Sequence, residues 1–156
     1  MPDIKHIPPR CEFDQDKLTV RLDELIPSDS LHIEGVVGRV VGLLEENGYF
    51  HDLENVQLAL QEALINAILH GNRSDPTKYV RICVAIEKAG GIIIVVKDSG
   101  SGFDPRTLPD PTLGDNIYRE GGRGVYLIHQ LMDDVQYNFG EGTAVTMRCR
   151  PPKRQP

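Results

Sequence analysis

The sequence predicts a single α+β domain, a two-layer α/β sandwich in which helices pack on one face of a mixed or antiparallel sheet. Three observations predict it. The chain has 156 residues, the length of one domain, with no internal repeat and no interdomain linker. The expected elements run strand, two helices, two strands, a long loop, a helix and two strands, so strands follow strands instead of alternating with helices. The segment Ile92-Ile93-Ile94-Val95-Val96 is apolar on both faces, which places it centrally in a sheet.

Residues 1–16 carry prolines and mixed charge and read as a loose N-terminal arm, 17–150 as the folded domain and 151–156 as a C-terminal tail. Lys17-Leu18-Thr19-Val20-Arg21-Leu22 alternates as a strand does. Pro27-Ser28-Asp29-Ser30 offers helix caps. Val36, Val37, Val40, Leu43 and Leu44 then recur at helical spacing between Leu31 and Glu46, and Asn47-Gly48 is a stop signal. A second helix spans about Asp52 to His70, followed by the loop Gly71-Asn72-Arg73-Ser74-Asp75-Pro76. Tyr79–Glu87 and Ile92–Lys97 form a hairpin through Ala89-Gly90-Gly91. Asp98 to about Gly122 has little periodicity, and a loop of that length in a compact domain is usually functional. Gly124–Met132 reads as a helix, and Val135–Phe139 with Thr143–Arg150 as a closing hairpin around Gly140-Glu141-Gly142.

Composition removes several function classes. Hydrophobic residues make up 40% and charged residues 26%, which excludes a disordered, collagen-like or coiled-coil chain. No apolar run approaches the ~20 residues of a membrane span, and Met1-Pro2-Asp3-Ile4-Lys5 lacks the apolar core of a secretion signal. The net charge of −6 makes the domain a poor partner for nucleic acid or an anionic membrane. The basic cluster Arg148, Arg150, Lys153 and Arg154 reads as a solvated, Pro-rich end. Cys11, Cys83 and Cys149 are odd in number, widely separated and without C-x-x-C spacing, so neither a disulfide framework nor a zinc site is expected. Cys83 reads as a small core residue, and the compartment as the cytoplasm.

Three segments carry candidate chemistry. On the second helix Glu62, Asn66 and His70 fall at i, i+4 and i+8 and share a face that is otherwise apolar. A carboxylate and an amide so placed need partners; alone, the stripe is as readily a hydrogen-bonded network. Asp98-Ser99-Gly100-Ser101-Gly102-Phe103 sets an Asp just past a buried strand and two glycines where backbone can approach a ligand; alone, it is a turn. Gly121-Gly122-Arg123-Gly124 opens a helix, where backbone N–H groups form an anion site. No P-loop and no eukaryotic-type kinase motif occurs. Together, the three can assemble one nucleotide site. Asp98 would accept from an adenine amino group, Asn66 would hold Mg²⁺ through its amide oxygen, the Gly122–Gly124 amides would carry phosphate, and Glu62 would take the proton of the attacking group.

These residues resemble the GHKL, or Bergerat-fold, ATPases. The N box is Glu62-Ala63-Leu64-Ile65-Asn66-Ala67 followed by His70-Gly71. The first glycine box is Asp98 to Phe103, the second is Gly122-Arg123-Gly124-Val125 continuing into Leu131-Met132-Asp133, and the last is Gly142-Thr143. Within that superfamily the chain is similar to the stand-alone bacterial anti-sigma-factor serine/threonine kinases, since the Glu-x-x-x-Asn-Ala-x-x-His-Gly string is typical of them and no dimerising segment with a phosphoacceptor His precedes the ATPase part. Asn72 departs from the pattern, as an aromatic residue is common there in the best-known sigma regulators.

The resemblance implies a Bergerat-type fold and an Mg·ATP-dependent kinase that phosphorylates a Ser or Thr of a small anti-sigma-factor antagonist. It implies a sigma factor as a further partner, and it is compatible with a homodimer. Glu62 is implied as catalytic base and Asn66 as Mg²⁺ ligand. Asp98 is implied at the adenine with Gly100 and Gly102 lining the base pocket, Gly122, Arg123 and Gly124 at the phosphates, Thr143 near the adenine, and His70 beside the nucleotide as part of the N box. Asp104 to Gly121 would be the ATP lid. Two rival readings are a module that holds ATP but acts only by exchanging partners, and a detached ATPase subunit of another phosphorelay. The presence of a base such as Glu62 argues against the first.

Overall fold

The computed structural model describes residues 7–100, 122–140 and 142–151, with the side chains of Val20, Gly122 and Arg123 left aside. Among the described residues five strands form one antiparallel sheet: β1 (Leu18–Pro27), β2 (Tyr79–Glu87), β3 (Ile92–Lys97), β4 (Asp134–Gly140) and β5 (Gly142–Cys149), in the order β1-β2-β3-β5-β4. The expected fold class is borne out. β3 occupies the centre, as its two apolar faces require; Ile94 lies opposite Val84 on one side and Met147 on the other.

Period-two alternation assigns the faces. Val80, Ile82, Val84 and Ile86 of β2, Ile92, Ile94 and Val96 of β3, and Val145, Met147 and Cys149 of β5 point to one side. There they meet α1 (Ile33–Glu46), α2 (Leu53–Ile65) and α3 (Gly122–Leu131) through Val36, Val40, Leu44, Val56, Leu60, Leu64 and Ile128. Val36, Val40 and Leu44 are fully buried, which is the i, i+4, i+8 stripe of α1. The predicted stop after Glu46 is in place: Asn47 Nδ2 donates to Leu43 O at 2.8 Å and Gly48 N to Glu45 O at 3.0 Å, which supplies partners for terminal carbonyls.

Three expectations need correction. The helix from about Asp52 to His70 is not one α-helix: after Ile65 the chain widens into a π-helical segment, Asn66–Gly71, ending in the i→i+5 bond from Asn72 N to Ala67 O at 2.8 Å. The hydrophobic period cannot distinguish one wide turn at the end of a helix. The first strand runs to Pro27, five residues past its alternating segment, because its pairing with β2 continues to Tyr79.

The third correction concerns the arm and the cysteines. Cys83 is bonded to Cys11, so the expectation of unpaired cysteines is overturned. Period two puts Cys83 on the sheet face away from the helices, where Ile93, Val95, Cys11 and Phe13 pack around it. Residues 7–16 are therefore not loose. Buried Arg81 donates from Nε to Pro8 O at 2.8 Å and from Nη1 to Asp23 at 2.6 Å, and Lys97 Nζ donates to Pro9 O and Arg10 O at 3.2 and 3.3 Å. Spacing along the chain gave no sign of this pairing, because the partners are 72 residues apart and the contact depends on which sheet face lacks helices.

Candidate nucleotide site

The site forms where the end of α2, the end of β3, the start of α3 and the β4–β5 hairpin converge. Glu62 and Asn66 lie one turn apart at the end of α2, Glu62 half-buried and Asn66 buried. The first turn of α3 is packed against them: a Cβ added to Gly124 would lie 2.9 Å from Glu62 Oε2, 3.2 Å from Asn66 Nδ2 and 3.3 Å from Asn66 Oδ1. Glycine lets that backbone approach the two polar side chains without pushing them aside.

Asp98 follows β3 directly and is 4% exposed. Its Oδ1 accepts from Thr143 N at 3.0 Å and from Gly100 N at 3.2 Å, while Asp98 N donates to Thr143 O at 2.9 Å. Burial pushes the Asp98 carboxyl above the ordinary carboxylate range, against the opposing pull of the Thr143 and Gly100 N–H groups and of Lys78. The glycines around it are steric necessities. Gly142 has φ +102°, and a Cβ on it would run into the Asp98 carbonyl; one on Gly71 would strike the Asp98 carboxylate, and one on Gly100 the Gly71 carbonyl. The first glycine box, the last glycine box and the end of the N box are thereby locked together.

Asn66, Asp98 and Thr143 line one cavity together with Ala63, Ala67, Val96, Ile128, Tyr137 and Val145. It is narrow, about 20 Å³, the room of a single water, so a purine enters only once the walls part. Its wall chemistry fits a nucleobase: apolar faces from Val96, Ile128 and Val145, and polar groups at Asn66, Asp98 and Thr143. Glu62 lies beside Asn66 outside that cavity, next to Gly124. His70 sits in the π segment, half-buried. Gly122 and Arg123 stand in the first turn of α3. Gly102 and the expected lid, Asp104 to Gly121, lie outside the described residues. Among the described residues no group of three or more His, Cys, Asp or Glu side chains is placed to hold a metal ion, and none of the helices is long and apolar enough to cross a membrane.

Two residues of the site escape sequence reasoning. Asn72 is fully buried. Its Nδ2 donates to Ser28 Oγ at 2.6 Å and to Tyr79 O at 3.0 Å, and its Oδ1 accepts from Ser99 N at 2.9 Å. It ties the end of β1 and the start of β2 to the loop that carries Asp98. In the sequence it is a loop asparagine after a glycine, with nothing to mark burial. Tyr137 reaches the cavity from the edge strand β4, where its alternation signals an inward side chain but not its neighbours.

Comparison with known proteins identifies the family of the fold. Residues 26–149 match the family model described as histidine kinase-like ATPase domain, and the chain belongs to that family. It is similar to the serine-protein kinase RsbW of Bacillus licheniformis, 31% identical over 116 residues, covering 68% of this chain and 70% of that one. The RsbW of Bacillus cereus strain AH187 is 27% identical over 134 residues, 81% of this chain and 82% of that one. Among solved structures, the RsbU and RsbW domains of a Mycobacterium tuberculosis protein superpose with a TM-score of 0.64 at 21% identity over 85% of this chain, which spans 32% of that one. At that identity the likeness establishes the fold.

Proposed function

We propose that this chain is an Mg·ATP-dependent protein serine/threonine kinase whose phosphoacceptor is a small anti-sigma-factor antagonist, and that it also binds a sigma factor. The observation that carries the reading is the packing of Glu62 and Asn66, one helical turn apart, against the backbone of Gly124. A base, a metal ligand and a helix N-terminus then share one corner beside a buried carboxylate. The similarity to serine-protein kinases named RsbW supports the same reading, and the cavity's mixed apolar and polar lining with buried Asp98 supports ATP as the phosphoryl donor.

The roles follow from the chemistry of each group. Asp98 accepts from the adenine amino group, with Thr143, Gly100 and Gly102 around the base and His70 at the rim. The amides of Gly122, Arg123 and Gly124 carry phosphate oxygens at the positive end of α3. Asn66 Oδ1 would hold Mg²⁺, which would supply charge neutralisation on the phosphates. Glu62 orients the acceptor hydroxyl and takes its proton as the oxygen bonds to the γ-phosphorus and the bond to ADP breaks. Partners of this kind place the activity in the cytoplasm; that placement rests on them and no longer on the cysteines.

The test is an incubation of the purified protein with Mg·ATP and candidate antagonists, followed by intact mass. A phosphate gained by an antagonist, dependent on Mg²⁺, supports the reading. ATP binding without transfer to any of them points to the partner-exchange module, and transfer to a receiver-type protein points to another phosphorelay.

A further inference from the structure

Two tyrosine hydroxyls among the described residues are buried without a hydrogen-bond partner, those of Tyr49 and Tyr137. A buried, unpaired hydroxyl is costly and calls for an explanation. Tyr49 lies beside the Cys149 thiol, a weak acceptor. Tyr137 is different, because it lines the cavity that also holds Asn66, Asp98 and Thr143. Its ring is set between His129, with centroids 5.9 Å apart, and Phe139, stacked at 6.4 Å.

We infer that Tyr137 is a nucleobase-reading residue: its hydroxyl donates to a ring nitrogen of the purine whose amino group Asp98 accepts. This deepens the ATP-site reading above and rests on it. The chemistry is complementary. The amino edge of adenine presents a donor flanked by acceptor nitrogens, and the cavity presents an acceptor carboxylate and a donor hydroxyl on its walls. Burial pushes the Tyr137 hydroxyl up to about 12, so it keeps its proton at neutral pH and can only serve as donor toward an acceptor nitrogen. β4 is the edge strand of the sheet, paired on one side only among the described strands.

The experiment compares the native chain with Tyr137→Phe for binding of Mg·ATP and of ATP analogues in which N1, N3 or N7 is replaced by C–H. The native protein should bind ATP roughly three- to tenfold more tightly than one of these analogues. Tyr137→Phe should bind ATP about as weakly as the native protein binds that analogue, and should no longer distinguish the two. Its melting temperature without nucleotide should be unchanged or higher, since an unpaired hydroxyl is removed. Native ATP affinity in the variant, undiminished discrimination among the analogues, or a lowered melting temperature each overturns the inference, the last by showing that the hydroxyl was already bonded. A native chain that binds no ATP overturns the nucleotide-site reading itself, a result distinct from all three.

Discussion

The backbone of Gly124 lies so close to Glu62 that a Cβ at that position would stand 2.9 Å from Glu62 Oε2. α3 begins at the phosphate end of the proposed site, and α2 carries the proposed base, with the proposed metal ligand Asn66 capping its C-terminal end. Glycine at this position leaves room for the Glu62 and Asn66 side chains against the start of α3. The two helices also share the core through Leu60, Leu64 and Ile128, so apolar packing holds them together beside the polar groups.

Gly124→Ala tests that spacing. Alanine is a better helix residue than glycine by about 1 kcal/mol, and the backbone at Gly124 has no positive φ, so the fold should persist. The methyl group must displace Glu62 or Asn66. Phosphorylation of the antagonist should fall by up to roughly a hundredfold, the cost of a ~1 Å misplacement of reacting groups, with the melting temperature nearly unchanged. Stopped or slowed transfer alongside a normal thermal melt is the expected pair of readings.

Asp98→Asn should separate stability from binding. The carboxyl is held above its unfolded value by burial, so between the two values the folded protein binds more protons than the unfolded chain. Stability falls as pH rises through that window, and the penalty is complete at neutral pH. The amide keeps an oxygen to accept from Thr143 N and Gly100 N, and removes the buried charge. The variant should melt at or above the native temperature at pH 7–8, the difference shrinking as pH is lowered through the raised carboxyl range. ATP affinity should drop roughly ten- to a hundredfold, because a charge-assisted bond is replaced by two facing donors. Calorimetric melts across pH and an ATP titration check both halves.

Asn72→Ala removes three side-chain hydrogen bonds at a fully buried position. Ser99 N and Tyr79 O would lose their partner, at a cost of roughly 2–4 kcal/mol. Denaturant unfolding should show that loss, and ATP affinity should weaken as the Asp98 loop loosens. An unchanged midpoint would remove Asn72 from its bracing role.

Cys11→Ser tests the arm. Closing a chain segment of 72 residues is worth about 4 kcal/mol on the loop-entropy argument, which corresponds to a melting shift on the order of 10 °C for a chain this size. Reducing the native protein should reproduce the shift and raise its intact mass by two hydrogens. Alkylation of Cys11 without prior reduction would contradict the pairing.

How much of this was legible in the sequence depends on the range of the interaction. β3 was readable because five successive apolar residues from Ile92 to Val96 leave no face for water, and α1 because Val36, Val40 and Leu44 repeat at helical spacing. The proposed site residues Glu62, Asn66, Asp98 and Gly124 stood out as short strings whose local geometry, a helix face or a strand end, sets direction. The π turn at Asn66–Gly71 was not, since one added residue per turn leaves the apolar pattern intact. Asn72, Tyr137 and the Cys11–Cys83 bond were not, since each acquires meaning only from a partner brought in by sheet register or by the uncovered sheet face.

The central claim is that Glu62 acts as the base, and Glu62→Gln measures it most directly. The substitution keeps size and burial and removes the proton acceptor. ATP affinity and melting temperature should stay near native while the phosphorylation rate of the antagonist falls by roughly two orders of magnitude or more. A variant that phosphorylates the antagonist at the native rate, with altered stability instead, would contradict the account and leave Glu62 a structural residue.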